Sequence, residues 1–299
     1  MRRAPSSRGG FTLIELMVSI VISGIVCGAV FDLLLGQSRF GRYQGAREEV
    51  QQNARVALDV ISAELRGAPA GALVSGGTDA IRLRVPRAWG AVCNAVEADT
   101  TRLWVRFAPG TFPPDFQYAR RRWGVAVAQT ASVAEPVARW SFVPTVGSTT
   151  TANPCDTRLG ASPGAVEAVF TGAGFLDPAS GVMTIPAGSQ AFVYEEVGYD
   201  VRMAAGASTG AGMYWLRRVI GFEADGTPRW EAMAGPLPAA DGLELRYSRA
   251  DGTAIAAPVT AAELPQVARI ALTVRTRSRT RTHGVPQLSE ASTLVYLRN

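Results

Sequence analysis

The chain has 299 residues, 47% of them hydrophobic, which is enough for a sizeable folded region and too apolar for an intrinsically disordered protein. Its formal charge of +5 comes from 30 basic residues, all arginine, against 25 acids, and a balance this mild is no signature of nucleic-acid binding. One histidine and two well-separated cysteines outside the first apolar stretch cannot build a structural zinc cage, and neither a calcium-loop nor a Walker A sequence occurs, so no metal or cofactor is expected.

The first ten residues carry Arg2, Arg3 and Arg8 and end in Gly9-Gly10. Phe11 opens an apolar stretch in which no side chain is charged from Leu16 to Phe31. At 1.5 Å per residue, a helix from Phe11 to Leu35 is long enough to cross a hydrocarbon core of about 30 Å. Glu15 therefore sits inside or at the lip of the span. An acidic group at mid-membrane costs about 2.5–3.5 kcal/mol on insertion scales, less toward the end of the span, so it calls for a partner. A cut after Gly10 would create one: the new α-amino group of Phe11, one helical turn from Glu15, on the same chain or on a neighbouring copy.

The segment RGGFTLIELMVS resembles the class III signal of type IV pilins and type II secretion pseudopilins. The resemblance implies that a prepilin peptidase cuts between Gly10 and Phe11 and N-methylates Phe11, and that Glu15 serves assembly. Removing residues 1–10 takes away three arginines and leaves the exported part near neutrality. Three other readings compete. An ordinary signal peptide would use the small residues near Cys27-Gly28-Ala29, but the apolar region is too long for one. A lipoprotein signal needs a small residue before the cysteine, where Val26 stands. An uncut anchor explains the hydrophobicity and the positive-inside orientation, yet gives no reason for Gly-Gly-Phe or for Glu15.

Beyond Asp32, which can snorkel to the outer interface, Val50, Ala54, Leu58, Ile61 and Leu65 recur at spacings of four, four, three and four, one face of a helix. Gly67 and Pro69 end it. One helix from Phe11 to about Arg66 is expected, roughly 80 Å long, half in the membrane and half packed on a domain. QQNARVALDVISAELR resembles the matching helix of PilW-like minor pilins and J-type pseudopilins. Within the span Gly24 and Gly28 form a G-x-x-x-G, read either as a site of close helix approach or as the ordinary abundance of glycine in membrane helices. Gly24 falls where many pilins have a glycine that lets the helix loosen; the proline that many carry eight residues later is replaced by Asp32.

From Ala68 the period changes to two, with β-rich runs at 80–85, 101–107, 123–129, 139–143, 190–203, 213–222, 242–248, 268–277 and 292–298, separated by turns such as EADGTPRW and RADGTA. The expected fold is α+β: a leader over 1–10, a spine helix over 11–67 with its membrane span at about 11–35, and a mainly antiparallel β domain over 68–299. Segment 144–189 reads as loop-rich, an insertion or a divide between two sheets. Cys93 and Cys155 form an even pair in the part expected to face an oxidising compartment, and a disulfide between them is set against two buried free thiols.

Three constellations invite chemistry. GASTG at 206–210 matches a nucleophile elbow on paper, but a strand-like run follows where a helix is required, and the sole histidine, His283, lies in a polar stretch; no catalytic residue is assigned. Glu195, Glu196 and Asp200 suggest a weak cation site, though adjacent acids on a strand face opposite ways and read better as a solvated edge. If Ile270, Leu272 and Val274 face inward, then Arg275, Arg277, Arg279 and Arg281 share the other face, spaced 6.6–6.8 Å apart in a strip on which a DNA backbone could lie. The plainer reading is an Arg-rich edge that blocks strand pairing or meets an acidic neighbour. Arg120, Arg121 and Arg122 beside Trp123 raise the same question.

The resemblance implies a PilW-like minor pilin, a structural subunit of the assembly or tip complex of a type IV pilus and not an enzyme. The length of the β region favours this over a J-type pseudopilin of type II secretion, and a DNA-binding competence pilin is the alternative of another class. The implied partners are other minor and major pilins, prepilin peptidase, and an inner-membrane assembly platform with a separate ATPase. The implied location is a single pass through the inner membrane, N-terminus cytoplasmic and β domain periplasmic, and then a filament.

Overall fold

Val50, Ala54, Leu58, Ile61 and Leu65 are all buried along one side of α1 (Leu13–Gly67), so the spacing of apolar residues does mark the face that packs on the domain. The computed structural model describes residues 12–69, 71–93, 102–112, 123–129, 139–144, 148–149, 155, 159–160, 165–171, 185–203, 213–223, 227–282 and 284–297. α1 starts on Thr12 as N-cap and stops where Ala68 turns extended ahead of Pro69, its N–H bonded to the Leu65 carbonyl. Every residue from 12 to 42 is exposed. The N-terminal half of α1 thus stands clear of the domain, and its apolar window is long enough to cross a membrane with none of it buried by the rest of the chain.

The strands that follow are β1 (Leu73–Gly76), β2 (Ala80–Val92), β3 (Arg102–Phe107), β4 (Trp123–Gln129), β5 (Arg139–Pro144), β6 (Ser148–Thr149) and β7 (Val166–Thr171). After them come β8 (Gln190–Met203), β9 (Tyr214–Phe222), β10 (Pro228–Leu237), β11 (Leu243–Ser248), β12 (Ala254–Ile255), β13 (Arg269–Thr282) and β14 (Val285–Tyr296). All described pairings are antiparallel. A long helix on an antiparallel β domain is the α+β architecture that the change of period indicates.

The large sheet runs β10-β9-β8-β2-β3-β7-β6, with β1 added to β2 and the β4–β5 pair added to β8. β8 organises it. β2 follows one edge of β8 from Ala80 opposite Asp200 to Ala91 opposite Gln190. The other edge is divided, β9 pairing with 198–203 and β4 with 191–195. The small sheet runs β12-β11-β13-β14. The break between the two sheets falls at the 3-10 turn Ala240–Gly242, not within 144–189, where β6 and β7 lie.

Two cores result. The first joins Leu58, Ile61 and Leu65 of α1 to Leu83, Val197 and Leu216 of the large sheet and to Leu245, Ile270 and Leu272 of the small one. The second lies at the other end of β2 and β8, where Val92, Leu103, Phe107, Val125, Phe170 and Val193 meet. Strand alternation explains both: Ala191, Val193, Val197 and Tyr199 all leave β8 on one face. Cys93 and Cys155, both fully buried, are joined by a disulfide across 62 residues at the margin of the second core.

Candidate functional site

The start of α1 stands clear of the domain and carries its own cap. Thr12 and Glu15 form a reciprocal capping box, in which the Glu15 N–H donates to Thr12 Oγ1 at 3.3 Å and Glu15 Oε2 accepts from the Thr12 N–H and hydroxyl, each at 3.0 Å. Two helix-end donors are thereby satisfied by side chains, where no water would be at hand inside a bilayer. Glu15 also puts negative charge at the positive end of the helix dipole. Gly10 and Phe11 lie outside the described residues. Gly24 and Gly28 stand on the free half of α1, with nothing within 4 Å of where a Cβ would be. They leave the surface low for a neighbour but touch nothing within the chain.

The other half of α1 is fixed to the domain by a charged cluster as well as by the apolar face. Glu64 accepts from Arg87 of β2 at 3.0 Å, from Arg218 of β9 at 2.8 Å and from the hydroxyl of Tyr199 on β8. Arg87 also donates to the buried Glu195 at 2.9 Å. Burial, and then the charge of Glu64, push the Tyr199 hydroxyl well above the ordinary tyrosine range. At Arg218 burial works the other way, and the neighbouring carboxylate outweighs it. Closer to the membrane-facing end, Asn53 donates to the Gly235 carbonyl at 3.0 Å and the buried Thr276 hydroxyl to the Val50 carbonyl at 2.6 Å.

The acids of β8 are not a solvated edge. β8 is interior to the sheet, and its side chains alternate: Glu195 turns to Arg87, Glu196 pairs with Arg82 on the other face, and Asp200 is held by Arg217 at 2.9 and 2.7 Å. No cluster of three or more His, Cys, Asp or Glu that could hold a metal occurs among the described residues. GASTG, His283 and Arg120 to Arg122 lie outside the described residues.

On β13, Ile270, Leu272 and Val274 face the core and Arg275 the outer side. Arg275 is engaged by two carboxylates, Glu244 at 2.7 Å and Glu290 at 2.9 Å. Hydrogen bonds from Arg275, and then from Arg246, hold the Glu244 carboxyl below its ordinary range. The β13–β14 register shifts between Arg277 and Arg281. Beyond that shift Arg279 turns toward Glu49 of α1 at 3.7 Å and over the ring of Trp215 at 5.2 Å. The four arginines are therefore not one even ladder, which is the correction to the strip drawn from strand alternation alone.

Glu64, Arg87 and Arg218 are the residues that sequence reading missed. Glu64 follows Ile61 by three on a helix, beside the buried stripe, which is the available signal for it. Its partners come from two strands far along the chain and leave no mark in the sequence.

A family model described as the prokaryotic N-terminal methylation motif matches residues 5–31. The match covers Arg8, Gly10, Phe11, Glu15, Gly24 and Gly28 but not Arg2 and Arg3, and it supports a type IV pilin-like or pseudopilin-like chain of structural kind, with an N-terminal helix long and apolar enough to cross a membrane. Neither a search of curated proteins nor one of solved structures gives a match.

Proposed function

We propose that this chain is a PilW-like minor pilin: a prepilin cut after Gly10, methylated on Phe11, and built into the assembly or tip complex of a type IV pilus. The observation that carries the reading is the division of α1, which is free and apolar behind the methylation motif and locked to a large β domain from Ala46 onward. Such a helix is suited to leave the bilayer sideways into a bundle of like helices, with Glu15 meeting a neighbour's N-terminal amine, while the β domain stays folded throughout. Other minor and major pilins, prepilin peptidase, and an inner-membrane platform with its own ATPase are the partners this work requires. The final location is the inner membrane with the β domain periplasmic, and then the filament.

A J-type pseudopilin would use the same helix, and deletion of the gene separates the two. Loss of surface pili with secretion intact supports the pilin; loss of secretion with pili intact assigns the chain to a pseudopilus. The DNA-binding reading loses support because Arg275 is already neutralised by Glu244 and Glu290. An electrophoretic shift by the purified β domain that Arg277→Ala and Arg281→Ala abolish would revive it.

A further inference from the structure

β13 and β14 extend past the domain as a hairpin beside α1, and its direction is fixed. Ile270, near the start of β13, pairs with Tyr247, whose hydroxyl donates to the Gly77 carbonyl, beyond the C-terminal end of α1. Six residues on, Thr276 reaches Val50. β13 thus runs back along α1 toward the membrane. The register shift gives β13 two extra residues there, so from Thr276 to Arg281 the hairpin advances only by the three residues of β14 from Ser289 to Pro286, about 10 Å at 3.3 Å per residue and the rise of about seven helical residues. The hairpin end, where Thr282 pairs with Val285 and Gly284 adopts φ 80°, therefore comes to about the level of Arg39 to Arg42, just outside the apolar span.

At that level the side chains are of two kinds. Arg39, Arg42 and Arg281 are exposed, and no carboxylate occurs between Asp32 and Glu48 on the helix or between Arg279 and Ser289 on the hairpin, while Arg279 is turned to Glu49. Beside them, Phe40 on the helix and Val285 at the hairpin end are exposed by 63% and 62%. Arginine on the translocated side of a span runs against the usual charge bias, so its presence there calls for a use. A basic collar interleaved with apolar and aromatic tips, continuous with a membrane helix, has the composition of a surface that seats on anionic headgroups.

We propose that the β13–β14 hairpin docks on the outer leaflet of the membrane. Arg281, together with Arg39 and Arg42, binds the phosphates of anionic phospholipids, and Val285 enters the headgroup boundary. The proposal rests on the reading of 11–35 as a membrane span. Docking there sets the domain's tilt before assembly and has to be given up when the chain leaves the bilayer.

The test uses the full mature chain in vesicles of phosphatidylcholine, with or without phosphatidylglycerol. A spin label is placed at Val285→Cys in a Cys27→Ser background, and on native Cys27 in a separate sample. The expected result is a Val285 label shielded from a water-soluble relaxant in the anionic vesicles only. Shielding should weaken in salt and on Arg281→Gln with Arg42→Gln, the docking equilibrium falling on the order of fivefold for each arginine neutralised. Equal accessibility in both vesicles, with Cys27 deep, overturns the docking and leaves the span standing. A water-exposed Cys27 overturns the span itself, and the docking with it. Shielding that appears only when a second pilin-like chain or DNA is added replaces the lipid by that occupant.

Discussion

Glu64 of α1 and Arg87 of β2 meet at 3.0 Å across the seam between helix and sheet, and the same carboxylate takes a second arginine, Arg218, and the hydroxyl of Tyr199. Three donors from three neighbouring strands converge on one helical side chain. Removing it as Glu64→Ala takes the carboxylate from the half-buried Arg218 and from a buried hydroxyl and leaves Arg87 with Glu195 alone, at a cost of about 3 kcal/mol, with Glu64→Gln costing about half as much. Urea unfolding of the mature chain in detergent measures both; equal stability of Glu64→Ala and wild type would mean that the apolar face alone holds the helix.

Gly90 separates the needs of the fold from those of assembly. A Cβ at Gly90 would lie 2.4 Å from the Arg106 carbonyl oxygen across the β2–β3 pairing, whereas at Gly24 and Gly28 it would meet nothing. Gly90→Ala should destabilise the domain by about 2 kcal/mol or more, since backbone must move. Gly24→Ala and Gly28→Ala should leave its unfolding curve unchanged and act, if at all, on crosslinking to partner helices. A shift of the unfolding midpoint in the span variants would show that the free half of α1 is coupled to the domain.

The spine was legible because a 3.6-residue period needs no partner to be recognised: Val50 to Leu65 and the stop at Gly67 and Pro69 are local signals. Strand positions failed where local signals mislead. Pro86 and Gly90 conceal the second half of β2, and β10 carries Gly235-Pro236 and few β-branched residues. Both are strands because long neighbours pair with them, β8 with β2 and β9 with β10. The acids of β8 were misread for the same reason: their partners Arg82, Arg87 and Arg217 come from other strands. On β13 alternation was right up to Arg277, and the register shift that follows cannot be read from residue types.

Alkaline pH should unfold the domain in a window set by buried tyrosines. Burial pushes Tyr194 up to about 12, and Tyr199 and Tyr247 are raised by the same cause. The unfolded chain loses these protons near pH 10 while the folded chain keeps them, so the unfolded state binds fewer protons and stability falls as pH rises. The stabilisation is complete below about pH 10 and is lost between there and the folded values, at up to about 1.4 kcal/mol per pH unit for each tyrosine. Tyr194→Phe should flatten the alkaline limb of stability against pH by one such increment; an unchanged limb would remove Tyr194 from the account.

Reduction should loosen the second core. The Cys93–Cys155 bridge closes 62 residues of chain, for which loop-closure entropy gives up to about 4 kcal/mol. Cys93→Ala with Cys155→Ala should lower the unfolding midpoint accordingly, and non-reducing peptide mapping of native protein should recover the two cysteines as one linked pair. Alkylation of Cys93 and Cys155 as well as the free Cys27 in freshly isolated protein, under denaturant and without reductant, would end this expectation.

Glu15 has two separable tasks, and the capping box shows how to divide them. Its carboxylate accepts from the Thr12 backbone and hydroxyl at 3.0 Å, which a glutamine does equally well, while only a charged side chain can neutralise the amine of a mature Phe11. Glu15→Gln therefore keeps the helix start and loses the counter-charge; Glu15→Ala loses both. Cleavage after Gly10 should persist in either variant. If charge pairing drives docking of subunits, both should fall equally in co-purification with partner pilins, because a lone ammonium in an apolar bundle is left without its counter-ion. If Glu15→Gln assembles as wild type while Glu15→Ala does not, the residue works as a helix cap and the pairing with Phe11 is wrong. Full assembly by Glu15→Ala would deny it either task.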